Sequence, residues 1–175
     1  AVKLNISDFE PFAWLTEFAQ PTLEIHDATY RQILHFCLIW SLFERHACGR
    51  SASVPKIQSS VKNAVFTKKV SAHLFAEHSA YFRNRAESYG PTISDYVRAL
   101  NPHNGVTKTI LFKFLQPHSS SLEDEITGLL VIAYRVRNNL FHGEKDIAYL
   151  HTQAELFQVI NSLLATYLTY TKCST

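Results

Sequence analysis

Methionine is absent from this chain of 175 residues, and glycine and proline are scarce, at 5 and 6. So few turn-forming residues disfavour a fold of many short, tightly connected strands and favour long helices. Cysteine is confined to Cys37, Cys48 and Cys173, an odd number with no CxxC pair. That excludes a disulfide framework or a zinc ribbon, so the expectation is isolated thiols in a reducing compartment and no metal site. No stretch reaches the ~20 apolar residues that a membrane-crossing helix needs. The opening residues AVKLNISDFEPF lack the basic end and apolar stretch of a signal peptide. The expectation is a cytoplasmic protein with no membrane partner and no cofactor. A chain that begins at Ala1 without methionine is expected either to have lost its initiator or to be a piece of a longer protein.

What is present is a helical pattern. About 150 residues per domain is the usual scale, so residues 1–175 are expected to form a single domain with a proper core. Ser7-Asp8 could cap a short helix carrying Phe12, Leu15 and Phe18, ended by Pro21. Thr29 and Gln32 have capping-box spacing, and Tyr30 to His46 runs without a breaker to Gly49. Its apolar residues cover almost the whole circumference, which predicts a central, buried helix. A more polar helical pattern spans Pro55 to Tyr89, with Ile57, Val61, Val65, Leu74, Phe75, Tyr81 and Phe82 as inward candidates. Residues 90–118 are broken by Gly90-Pro91, Asn101-Pro102, Asn104-Gly105 and Pro117. They read as an irregular insertion with one short helix, Ile93–Leu100, and one element, Val106–Leu115, that fits helix or strand. Ser120-Ser121 followed by Glu123, Asp124 and Glu125 opens a strongly helical run that Gly143 can end. A last helix is expected over about Ala148–Lys172. The fold class is all-α, a bundle of four to five long helices with the insertion before the motif-bearing helix.

The informative string is Tyr134-Arg-Val-Arg-Asn-Asn-Leu-Phe-His142-Gly143. At 100° per residue, Arg135, Asn138, Asn139 and His142 share one face, while Arg137 lies about 140° from His142. Arginine is a permanently charged, forked clamp for phosphate. Histidine can give or take a proton near neutrality. With amide side chains to orient a substrate, these are suitable parts for cleaving a phosphodiester by acid–base chemistry and charge stabilisation, without a metal. The same string also reads as an ordinary helix end, where Arg complements the dipole and His-Gly stops the helix.

RNNLFHG closely resembles the motif of the HEPN superfamily: an Arg, four to six residues, then a His, with a polar residue commonly after the Arg. In this chain the match is Arg137, Asn138 and His142, with Arg135 as a second possible start. Leu38–Glu44 (LIWSLFE) is similar to an early helix of some HEPN proteins, and residues 90–118 have no counterpart. The resemblance implies a metal-independent endoribonuclease that acts on an RNA substrate as a homodimer, its two motifs facing each other. It implies a toxin or antiphage-defence setting, with an antitoxin or regulatory protein as a further partner. It equally allows a module that has lost catalysis and only binds RNA, nucleotide or protein. The roles implied are proton transfer for His142, phosphate stabilisation for Arg137 and orientation for Asn138, with Arg135 and Asn139 in support. Glu44 is a candidate partner that holds an Arg, or a carboxylate that simply turns to solvent.

The formal charge of +2 hides an uneven distribution. Residues 45–86 carry 8 basic side chains against Glu77 alone, while residues 1–44 carry 2 basic and 6 acidic ones. Lys62, Lys68, Lys69, Arg83 and Arg85 are the candidate RNA-binding set, and Phe66, Tyr81, Phe82 and Tyr89 lie among them. The plainer expectation for most of those aromatics is that they turn inward.

Overall fold

The computed structural model describes residues 27–116, 121–141 and 153–172, and every regular element among them is helical. In chain order these are α1 (Asp27–Ala47), α2 (Val54–Phe66), a 3-10 turn (Ala72–Leu74), α3 (Ala76–Tyr89), α4 (Ile93–Ala99), α5 (Gly105–Leu115), α6 (Leu122–Phe141) and α7 (Ala154–Thr171). The helix expected after Ser7-Asp8, the start of the last helix before residue 153, and His142 and Gly143 lie outside the described residues. The architecture is an all-α bundle. No described helix is long and apolar enough to cross a membrane.

Local chemistry sets the helix ends. Pro55 occupies the first turn of α2, where its missing N–H costs nothing. The α2 end closes with Lys69 N–H donating to the Ala64 carbonyl at 3.0 Å, and Lys68 holds the left-handed conformation (φ 53°) that glycine normally supplies. Asn104 caps α5 by accepting from the Thr107 N–H at 2.8 Å. At α6, the Ser121 hydroxyl accepts from the Asp124 N–H at 3.1 Å, and the Asp124 carboxylate accepts from the Ser121 N–H at 3.2 Å. This reciprocal box matches the start read from the sequence.

The helix buried on all sides is α6 and not, as the sequence pattern predicts, α1. From Ile126 to Ala133 every α6 residue is buried, and α2, α5 and α7 pack around it. In α1 the burial is one-sided: Phe36, Trp40 and Phe43 face the core, whereas Leu34, Leu38 and Leu42 lie on the surface, Leu38 with 61 % exposure. Thr29 is buried two residues inside the helix and does not cap it.

The second correction concerns residues 90–118. The described part is neither irregular nor peripheral: both of its elements are helices, and Tyr96, Val97, Leu100, Leu111, Phe114 and Leu115 belong to the same core cluster as α6. Helix α5 approaches α6 so closely that a Cβ on Gly128 would overlap the Cβ and Cγ of Phe114. The breaker residues that made this stretch look like a loop are the caps and turns of two short helices.

Candidate functional site

The last two turns of α6 split the expected motif between two opposite tasks. Arg135 is 2 % exposed. Its Nε donates to the Leu100 carbonyl at 3.0 Å, and its Nη2 donates to Asn139 Oδ1 at 3.3 Å and to His103 Nε2 at 3.2 Å. Arginine has only donors, so the His103 Nε2 that meets it is the accepting, unprotonated nitrogen. Asn139 Nδ2 in turn donates to the Ala99 carbonyl at 3.3 Å. The final carbonyls of a helix have no partner within it, and here Arg135 and Asn139 satisfy those of α4. Arg135 and Asn139, two members of the polar stripe that the 3.6-residue period places on one face, therefore face the core. They clasp α4 to α6.

Arg137 looks the other way, toward α1. Its charge acts on Cys37: burial raises the thiol's pKa, and the Cys37 backbone hydrogen bond and the Arg137 guanidinium oppose that rise. The Trp40 and Tyr134 rings lie 6.2 Å apart, which places α1 beside this part of α6. Arg137 is half-buried. Its Nη1 donates to Asn138 Oδ1 at 3.3 Å, and its Cζ sits 5.1 Å from the centroid of Phe141, a ring that is 54 % exposed. Its Nε is buried with no hydrogen-bond partner, and no carboxylate pairs with it among the described residues. Asn138 is itself buried, so its amide is held in position to orient the guanidinium.

Glu44 is half-buried near the end of α1, and its Oε1 accepts from the Ala52 N–H at 3.1 Å. It pins the turn between α1 and α2, close enough to Cys48 to add to the burial that pushes that thiol up to about 11. One of its carboxylate oxygens serves a backbone amide, and the side chain also lines an open cavity with Arg45 and Arg50.

The candidate RNA-binding set divides in two. Lys62 and Lys68 are exposed at the end of α2, and Lys69 beside them is half-buried with Nζ 3.4 Å from the Thr171 carbonyl. Arg83 and Arg85 sit on α3 and turn inward. Arg83 Nε donates to the Phe114 carbonyl at 3.3 Å, its Nη1 lies 3.7 Å from Glu125, and its guanidinium covers the Phe114 ring. Arg85 is half-buried, and its charge opposes the burial that raises the pKa of the Tyr96 hydroxyl. Of the aromatics among these charges, Phe82 is buried and Tyr81 half-buried, whereas Tyr89 and Phe66 are exposed, Phe66 at 84 %.

Sequence reasoning missed His103, which has no periodic signal in a short connection, and Phe141, which reads as an inward apolar residue. A cavity of about 630 Å3, lined by Gln58, Val106, Ile110, Lys113 and Asp124 among others, lies at the opposite end of α6 from Arg137. Among the described residues no three His, Cys, Asp or Glu side chains cluster as metal ligands. No protein family, curated protein or solved structure matches this chain.

Proposed function

We propose that this chain is a metal-independent endoribonuclease of the HEPN type, with Arg137, Asn138 and His142 as its working residues. The observation that carries the reading is the state of Arg137. A half-buried guanidinium with no carboxylate partner among the described residues is costly to keep, and an anionic substrate is what would balance it. Arg135, two residues earlier, has spent its donors on protein acceptors, which leaves Arg137 as the start of the Arg-x4-His motif.

In the reaction the RNA 2′-oxygen attacks the adjacent phosphorus and the bond to the 5′-oxygen breaks, giving a 2′,3′-cyclic phosphate and a 5′-hydroxyl end. One His142 takes the proton from the 2′-hydroxyl and a second, from another copy, gives one to the departing 5′-oxygen. Arg137, oriented by Asn138, stabilises the added charge on the phosphorane. Pairing of two copies is supported by exposed apolar side chains: Leu34, Leu38 and Leu42 on α1, and Phe141 at the end of α6. A toxin or antiphage-defence role, with a neutralising partner, belongs to the same reading.

The test is cleavage of mixed RNA in chelator by wild type, His142→Ala and Arg137→Ala, with product ends analysed. The expected result is cyclic-phosphate ends from wild type and a loss of about 10²-fold or more in each variant. Cleavage that survives His142→Ala, or that a chelator abolishes, overturns the reading. RNA binding without cleavage by wild type makes the chain a binding module.

A further inference from the structure

Between Arg45 and Ala76 the chain carries six Lys or Arg residues and no Asp or Glu. The fold gathers part of this stretch around a cavity of about 450 Å3 lined by His46, Lys56, Ser59, Ser60, Asn63 and Lys69. We infer that this cavity takes a phosphate of a single-stranded nucleic acid, whose base stacks on Phe66. The inference rests on the ribonuclease reading for its substrate class, and it places a second contact on the same strand.

The cations are built in. Lys56 Nζ donates to the Ser51 carbonyl at 3.0 Å and to Ser51 Oγ at 2.6 Å, which leaves one N–H of its three for a ligand. Lys69 Nζ is drawn over the cavity toward the Thr171 carbonyl, 3.4 Å away. A helix C-terminus such as that of α7 attracts one cation. It does not explain a second ammonium and an imidazole around the same space with three neutral hydrogen-bonding side chains and, among the described residues, no carboxylate in the lining. The nearby Glu44 is turned to the Ala52 N–H and lines the neighbouring cavity instead.

Phe66 identifies the ligand as more than a bare anion. It lies three residues from Asn63 and four from Lys62, so all three are neighbours on α2. A phenylalanine with 84 % exposure among lysines is a stacking platform that every base can use. The position relative to Arg137 also suits one strand. Ser41 and Arg45 follow Cys37 at helical spacing along α1 and His46, which lines the cavity, comes next, so the cavity lies about 14 Å along that helix from the level of Arg137, a span of a few nucleotides. Arg45 and Arg50 line a further cavity of about 520 Å3 between the two.

The experiment uses full-length protein carrying His142→Ala, so that RNA stays intact, in chelator. Binding of a short labelled oligoadenylate is followed by anisotropy, and that of adenosine monophosphate and inorganic phosphate by NMR. Asn63→Asp places a carboxylate at the cavity mouth, Asn63→Gln is the neutral control, and Phe66→Ala removes the platform. Both positions are exposed, so the fold is expected to survive. The expected result is RNA binding weakened about tenfold by Asn63→Asp and by Phe66→Ala but not by Asn63→Gln, with a shallower salt dependence for Asn63→Asp. Monophosphate bound as well as the oligomer, per site, identifies a free nucleotide as the source, and preference for the oligomer identifies the strand. RNA binding unchanged in both Asn63→Asp and Phe66→Ala overturns the inference, as does equal weakening by Asn63→Gln. Cleavage by the otherwise wild-type chain is scored separately: its absence removes the enzymatic reading and leaves this binding result standing, and cleavage with unaltered binding in both variants removes only this one.

Discussion

Arg135 and Arg137 are two residues apart on one helix, yet their side chains face opposite environments, and this makes them separable by measurement. Arg135 hydrogen-bonds a carbonyl, an amide oxygen and an imidazole inside the protein. Arg135→Met leaves the Leu100 carbonyl without its donor and is expected to destabilise the fold by about 2–4 kcal/mol in chemical denaturation. Arg137→Ala is expected to change stability by less than about 1 kcal/mol while RNA cleavage is lost. A reversal of this pattern would move the candidate catalytic role from Arg137 to Arg135. The sequence shows which residue types gather at this helix end, and helical spacing correctly groups Arg135, Asn138 and Asn139. It does not show which face is inward, because a polar stripe on an otherwise apolar helix reads as a surface. The carbonyls that draw Arg135 and Asn139 inward come from α4, about 35 residues earlier in the chain, and no local pattern contains them.

At the scale of the element, the start of α6 was legible in the sequence, whereas the capping-box spacing of Thr29 and Gln32 did not mark the start of α1. The start of α6 at Ser121 follows from hydroxyl and carboxylate spacing. Burial of whole helices was not legible, because α1 is as apolar as α6 and only neighbours on every side distinguish them. Residues 90–116 were misread for a related reason: two short helices need as many turn residues as a loop does. The α6 start also carries a pH signature. Burial pushes the Asp124 carboxyl upward, but hydrogen bonds from Lys113 Nζ, at 2.8 Å, and from Ser121 outweigh it, so the group sits below the usual carboxylate range. A carboxylate whose pKa falls on folding contributes stability that is complete above the unfolded value and lost as pH falls through the folded one. Asp124→Ala is therefore expected to lower stability by about 1 kcal/mol at pH 7. The difference in Tm between wild type and variant should narrow below about pH 4. A gap of constant size from pH 7 to pH 2 would show that the cap is not coupled to ionisation.

For the whole molecule, the leading feature is an imbalance between two sides. One side of α1 closes the core, while the other presents Leu34, Leu38 and Leu42 on the surface. If this side joins two copies, Leu38→Glu is expected to halve the particle mass in sedimentation and to reduce cleavage at least about tenfold, since each site needs a histidine from both. Unchanged mass with full activity would show that one copy suffices. Leu38 is mostly exposed, so the substitution is not expected to unfold the protein.

The contact between Gly128 and Phe114 has a consequence for descent. With a side chain at position 128, α5 could not lie where it does, and without Arg135 the end of α4 would lose its anchor. The α4–α5 pair can therefore be gained or lost in a lineage only together with changes at two distant positions of α6. Among relatives, a glycine at 128 with an arginine at 135 should accompany a long connection between α3 and α6. A bulkier residue at 128 with an uncharged one at 135 should accompany a short one. Those two positions, and not the RNNLFH string, would then date the arrival of the pair.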